Sequence, residues 1–358
     1  MNMVKFNPQM LILGRESRQL TQSELAKKLG VTQGKLSKME SGLLPATTED
    51  LLNISSVLSY PVEFFGQSQQ VYGLGVSEFY HRKRQSVTKK CMGKIYAQTN
   101  IRRIHLTKLF EGLEFDECKI FRRDLDEYDE KVEKIAQIAR LDLALPRGPI
   151  QNLTQAIENA GGIIVHCNFD TRLLDALSRW FPDLPPLFFI NQELPGDRMR
   201  FTLAHELGHL IMHRTTNPDM EKQADRFAAE FLMPKDDIRP YLNDLSLSKL
   251  VSLKELWKVS MGAILKRAED LKKITKRQAK YLWMQMSKSG FRTQEPFDFI
   301  VPIEEPSYLR DIIETYSQEM GYSPSDLSKF LFIHEEELPF YYPITLPNSK
   351  NKNHLSLI

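Results

Sequence analysis

Between residues 7 and 66 apolar side chains recur at short helical intervals, at Leu11, Leu13, Leu20, Leu25, Leu29, Leu36 and Met39. This spacing predicts a run of short amphipathic helices. The stretch TQSELAKKLG begins with Thr21, a good N-cap, and has Glu24 three positions on, the spacing of a capping box. It ends in Gly30, a helix-stop signal. VTQGKLSKMESG repeats the arrangement, with Thr32 as cap, helix from Lys35 to Glu40 and Gly42 as stop. Two short helices joined by a tight turn at Leu29, Gly30 and Val31 are the skeleton of a helix-turn-helix.

The pattern then changes. From Phe79 to Phe110 there are nine Lys or Arg, at positions 82, 83, 84, 89, 90, 94, 102, 103 and 108, and no Asp or Glu. Residues 111–135 are acidic and are expected to form a helical connector. LPRGPIQNL (145–153) is a loop leading to a helix start at Asn152. GGIIVHCNF predicts a turn and a buried strand, and PPLFFINQELP a second strand ended by Pro195. Helices are predicted over Arg198–His213 and Glu221–Leu232, the latter stopped by Pro234, and helical segments continue to about Ser289. A polar break, SGFRTQEPFDF, precedes a last segment with caps at Ser307 and Ser323 and apolar positions at Leu309, Ile312, Ile313, Leu327, Phe330 and Leu331, expected to be a small helical domain.

The fold expected is mainly α with a small β-sheet (α+β). Four parts follow: a five-helix helix-turn-helix domain over 1–68, a basic helical connector over 69–130, a domain of helices and strands over 131–290 and a small C-terminal helical domain over 291–358. A chain of 358 residues is long enough for several domains. Its 42% hydrophobic and 26% charged content is that of globular proteins, and the net charge of +2 selects no class of partner. Cys91, Cys118 and Cys167 are far apart and have no CxxC spacing, which excludes a cysteine zinc cluster and fits a reducing compartment. The first residues hold no signal-peptide core, and no run approaches the roughly 20 apolar residues of a membrane span. A cytoplasmic protein with no membrane partner is expected.

The stretch TLAHELGHL carries the chemistry. Positions i and i+4 share a helix face, so His205 and His209 can aim two imidazoles at one point, with Glu206 beside it to take a proton from water at a metal ion. The next predicted helix, EKQADRFAAEFLMP, places Glu221 and Asp225 on one face. Its apolar stripe, Ala224, Phe227, Ala228, Phe231 and Leu232, is suited to dock on Leu203, Leu207 and Leu210. Docking would bring Glu221 to the ion as third ligand, and would let Asp225 accept a hydrogen bond from the free ring nitrogen of a histidine ligand. Gly208 costs about 1 kcal/mol of helix propensity relative to Ala, which a close approach of the neighbouring backbone would explain. His213 is either a fourth metal-side group or, more simply, a favourable residue at the helix C-terminus. A metzincin would need Gly at 212 and His at 215; Met212 and Thr215 exclude that class.

RMRFTLAHELGHLIMH and EKQADRFAAEFLMP, preceded by GPIQNLTQAIENAGGIIV and DALSRW, resemble the ImmA/IrrE family of zinc metallopeptidases over about residues 140–290. The resemblance implies a small zincin-like domain that binds one zinc ion per chain, with manganese as the alternative, through His205, His209 and Glu221. It implies Glu206 as general base and a repressor protein as substrate, cleaved in a stress, phage or mobile-element response. No oxyanion stabiliser is identified, His166 and Arg200 being guesses.

LTQSELAKKLGVTQGKLSKMESG is similar to the lambda-repressor-like (XRE-type) helix-turn-helix over residues 8–66. The second helix would enter the major groove of double-stranded DNA with Gln33, Gly34, Lys35 and Lys38 on its leading face, and Gln22 would donate to a phosphate. The cations between 82 and 108 would either add counterion release on DNA or coat a solvated connector. The leading expectation is a DNA-binding regulator with endopeptidase activity, with a homodimer left open. A second is a regulator or antitoxin whose peptidase fold serves as sensor or dimerisation module. A third is self-cleavage that releases the helix-turn-helix.

Overall fold

The computed structural model describes residues 5–73, 87–115, 117–292, 295–296, 300–344 and 346. The chain divides into two compact units. Among the described residues no helix is long and apolar enough to cross a membrane.

The first unit comprises Met1–Leu74, Val87–Glu114 and Tyr308–Ile358. It opens with α1 (Pro8–Ser17), α2 (Gln22–Leu29), α3 (Gln33–Glu40) and α4 (Thr48–Leu58). The local signals hold: Thr21 and Glu24 form the capping box of α2, and Gly30 ends it at φ +68°. This is the left-handed conformation in which glycine carries no Cβ penalty. Thr32 caps α3. Leu25, Ala26, Leu36 and Met39 are buried where the two helices meet. Arg15 ties the back of α3 down through a 2.5 Å ion pair with Glu40.

The 22-residue helix α5 (Lys89–Phe110) packs on α1 and corrects the expectation of an exposed cationic connector. Met92, Ile95, Ile101, Ile104, Leu106 and Leu109 are buried on every side of it, and Arg102 and Arg103 are buried with them. Residues returning from the far end of the sequence cover it. The Arg102 guanidinium lies 4.9 Å from the Tyr341 ring centre and donates to the Phe340 carbonyl. Lys108 Nζ lies 3.5 Å from the Phe332 ring centre and donates to the Phe330 carbonyl. Such desolvated cation–ring contacts contribute about 0.5–2 kcal/mol each. Helices Tyr308–Gln318 and Pro324–Leu331 bury Leu309, Ile312, Ile313, Leu327 and Leu331 in this unit. Cations 82–84 lie outside the described residues; of the remaining six only Lys89 and Lys90 are exposed.

The second unit comprises Gly75–Ser86 and Phe115–Ser307. The expected helix over 111–135 is not formed. The described residues of 111–131 hold only the 3-10 turn Asp126–Tyr128, and the chain runs over the unit with Lys119 N–H donating to the Ala160 carbonyl and Arg123 N–H to that of Ile211. The stretch is acidic but lacks the apolar period that would give a helix a buried face. Helix α6 (Val132–Asp142) and α7 (Leu153–Asn159, capped by Asn152) lead to a three-stranded sheet of β1 (Ile163–Cys167), β2 (Ala176–Phe181) and β3 (Leu184–Asn191). The strand order is β1-β3-β2, with β1 parallel and β2 antiparallel to β3. The second strand, β2, was not foreseen.

Helices α8 (Gly196–Met212) and α9 (Met220–Leu232) follow, α8 packing on β2. A short turn of helix, α10 (Lys235–Ile238), leads to α11 (Leu247–Trp257), α12 (Met261–Asp270) and α13 (Lys276–Lys288). Two half-buried carboxylates beyond α13, Glu295 and Glu304, return to the unit. Glu304 pairs with Arg200 of α8 and accepts from the first two amides of α7, and Glu295 pairs with buried Lys254 and accepts from the first two amides of α12.

His105 of α5 is completely buried, and that burial, with Lys108 and Arg102 nearby, pushes its pKa down to about 3. Between its ordinary value near 6.5 and about 3 the unfolded chain binds a proton that the folded unit refuses, so stability falls as pH falls through that window. The prediction is that His105→Phe loses less melting temperature than wild type between pH 7.5 and pH 5. Equal losses would show that His105 does not carry the effect.

Candidate metal centre and nucleic-acid interface

The site in the second unit is set by the docking of α9 on α8. Leu203, Leu207 and Leu210 of one helix and Ala224, Phe227, Ala228, Phe231 and Leu232 of the other are all buried. The approach is close because Gly208 faces the Phe227 ring. A Cβ at Gly208 would lie 2.9 Å from that ring. A side chain, not the neighbouring backbone, requires the glycine.

At this separation three donors meet. His205 Nε2 and His209 Nε2 are 3.0 Å apart, and the Glu221 carboxylate lies 3.2 Å from His209 Nε2 and 3.7 Å from His205 Nε2. Among the described residues His205, His209 and Glu221 form a group whose geometry can hold a metal ion. Asp225 accepts from His205 Nδ1 at 2.9 Å. Burial works against charge on His205, but the Asp225 hydrogen bond and the Glu206, Asp225 and Glu221 carboxylates outweigh it and raise its pKa.

The chemistry of this donor set fits a cation. Asp225, as a carboxylate, can only accept, so in the neutral His205 ring the proton sits on Nδ1 and Nε2 presents a lone pair toward the other donors. A lone pair and a carboxylate held within hydrogen-bonding distance of a third donor repel unless a proton or a metal ion lies between them. Two imidazoles and a carboxylate are a donor set of the kind that holds a divalent metal ion.

Glu206 is buried beside the histidines, and Ser178 of β2 donates to its Oε2 at 2.6 Å. Trp180 of the same strand donates to the Leu210 carbonyl. Ser178 lies in DALSRW, a stretch noted for its resemblance to a family; its contact with Glu206 is made across the sheet–helix interface and has no local sequence signal. His213 is not a metal-side group. It meets Nδ1 of His209, the ring nitrogen opposite the one that faces Glu221. Neither guessed oxyanion residue is beside Glu206. Arg200 is buried and bonded to Glu304 and to the Lys258 and Ile150 carbonyls. His166 lies on β1, the strand farthest from β2, 3.5 Å from Glu305.

In the first unit, Gln33, Gly34 and Lys38 of α3 are exposed. Gln33 donates to the side-chain oxygen of Gln22 at 3.2 Å, and Gln22 donates to Glu40 at 2.7 Å. Lys35 is drawn back into a 2.6 Å ion pair with Asp50 of α4, so it must give up that pair to meet a phosphate or base.

Residues 12–65 match the family model of the helix-turn-helix, and residues 158–269 match a peptidase family model described as the IrrE N-terminal-like domain. No curated protein matches the chain. The chain thus carries an XRE-type helix-turn-helix, which supports binding of double-stranded DNA, and a metallopeptidase-type domain, whose family implies a metal cofactor.

Gly208→Ala gains about 1 kcal/mol of helix propensity but overpacks the Phe227 contact, which typically costs about 1–3 kcal/mol. A lower melting temperature and weaker metal retention against a chelator are expected. A variant that melts higher and keeps its metal would show that the α8–α9 distance is not set here.

Proposed function

We propose that the chain is a cytoplasmic, DNA-binding transcriptional regulator with zinc-dependent endopeptidase activity, which cleaves a repressor protein in a stress, phage or mobile-element response. The observation that carries the peptidase reading is the convergence of His205, His209 and Glu221 on one point beside the buried carboxylate of Glu206. Hydrolysis at that point requires a base, and a buried carboxylate beside the three donors can serve as one.

When bound, zinc supplies Lewis-acid polarisation of the scissile carbonyl and eases ionisation of water. The protein does the rest. His205, His209 and Glu221 hold the ion, Asp225 fixing the ring of His205. Glu206 takes the proton of the attacking water and passes it to the leaving amine. Ser178 holds the Glu206 carboxylate by its Oε2, which restricts its rotation. On the DNA side, Gln33, braced by Gln22, reaches base edges in the major groove, and Lys38 meets the backbone.

Glu206→Gln is expected to retain one zinc per chain and to lose about 10²–10⁴-fold in cleavage of a repressor encoded beside it, the usual contribution of a general base. Metal analysis with gel-based cleavage assays checks both. Undiminished proteolysis by this variant removes Glu206 from its role. Wild-type protein that holds zinc but cleaves no repressor favours the sensor or dimerisation reading.

Gln33→Ala is expected to cost about 1–3 kcal/mol in discrimination at one base position, read with duplexes selected by the wild-type protein from a random pool. Unchanged preference at every position would count against α3 as the reading helix.

A further inference from the structure

Asp225 gives one of the two imidazoles its outer partner; a longer arrangement stands behind the other. His213 Nδ1 is 2.9 Å from His209 Nδ1, and His213 Nε2 is 2.9 Å from Gln223 Oε1. Asn217 Nδ2 donates to that same oxygen at 3.4 Å. A carbonyl oxygen only accepts, so His213 Nε2 carries a proton and donates it. In a neutral imidazole the other nitrogen then has a lone pair, so His213 Nδ1 accepts and His209 Nδ1 donates. The consequence falls at the far side of the His209 ring, where Nε2 is left bare, 3.0 Å from His205 Nε2 and 3.2 Å from Glu221.

We propose that His213 and Gln223 are positioning residues that fix the ring and tautomer of His209 so that its Nε2 is presented to the metal. This rests on the metal reading of the site. His213 is not itself a ligand, because it meets the wrong nitrogen of His209. Nor does its side chain act as a plain helix cap. Its backbone N–H closes the last turn of α8 on the His209 carbonyl at 2.9 Å, while the imidazole is turned to the His209 ring and bridges to α9. The two ligand histidines thus have different outer partners: an exposed carboxylate for His205, and a neutral His–Gln pair for the more buried His209. Both partners lie on or bridge to α9, the helix that supplies Glu221, so all three ligands depend on one docking event.

His213 and Gln223 also line an open cleft of about 380 Å³ with Asn217 and Asp219, so truncation there does not hollow out a closed core. The test is zinc affinity by chelator competition on full-length protein, with melting curves of the metal-free variants as a check on folding. His213→Ala and Gln223→Met are expected to weaken zinc binding about 10–100-fold, the usual cost of losing a ligand's outer partner. Gln223→Glu keeps an acceptor and is expected to restore most of the affinity. Nitrogen-15 spectra of zinc-loaded wild type are expected to show His209 ligating through Nε2 with a proton on Nδ1. Wild-type affinity in both truncated variants, equal losses for Gln223→Met and Gln223→Glu, or ligation of His209 through Nδ1 would each overturn the assignment. If wild type binds no zinc while folded, the metal reading itself falls, and His209→Ala, expected to abolish binding where the site is real, separates that case from failure of the relay alone.

Discussion

The contact of the Gly208 backbone with the Phe227 ring sets the distance between α8 and α9, and the chemistry of the second unit depends on that distance. Glu221, Gln223 and Asp225 lie on the first two turns of α9; the groups they meet, His205, His209 and His213, lie on or at the end of α8. Imidazole donors are short and rigid, so an axis shift of an ångström takes a carboxylate out of reach of both rings. The buried stripe beside the histidines resists such a shift, since close-packed side chains transmit strain rather than absorb it. From the other side α9 is held by α6 and α12: Arg140 donates to the Phe231 carbonyl, Arg226 pairs with Glu133, and Arg267 pairs with buried Glu230.

What was legible in the sequence was what local periodicity dictates. The i, i+4 spacing put His205 and His209 on one face, and the apolar stripe of α9 brought Glu221 and Asp225 to them. The capping signals at Thr21, Glu24, Gly30 and Thr32 likewise framed the helix-turn-helix, because a cap is satisfied within four residues of itself. Ser178 and Gln223 were missed for the opposite reason. Each acts on a partner in another element, and a serine in a short strand or a glutamine in a helix carries no signal of what lies across the interface. β2 itself was missed because ALSRWF, short and mixed in polarity, has no clean period-two alternation.

The helix α5 shows the same limit at larger scale. Composition suggested a cationic rod in water or on DNA, and a polar, weakly amphipathic helix is ordinarily solvated. Arg102 and Lys108 are instead accommodated by aromatic rings and backbone carbonyls supplied by residues 330–341, more than 200 positions away, and Arg103 by the Gln70 carbonyl and the Tyr72 ring. Burial of Arg102 is tolerable only with that cover, because an uncompensated buried charge is among the costliest features a fold can carry. Reading the charges of Arg102 and Lys108 correctly therefore required knowing where the last helices go.

That return of the chain bears on self-cleavage as a regulatory route. The helix-turn-helix does not end its unit at residue 66; the unit is completed by α5 and by helices from 308 onward, which lie after the metallopeptidase-type domain in sequence. A single cut between α5 and residue 308 would leave the HTH joined, non-covalently, to the segment that covers its longest helix. Tyr316 would still donate to the Leu109 carbonyl, and Glu337 would still pair with Arg18 at 2.5 Å. Release would need the apolar surface of Leu309, Ile312, Ile313, Leu327 and Leu331 to be re-exposed, at about 25 cal/mol for each Å² of apolar area. Cutting a peptide bond supplies none of that free energy. The interleaved sequence thus counts against scission of the linker as a way to release the helix-turn-helix, because the unit that contains it would stay assembled.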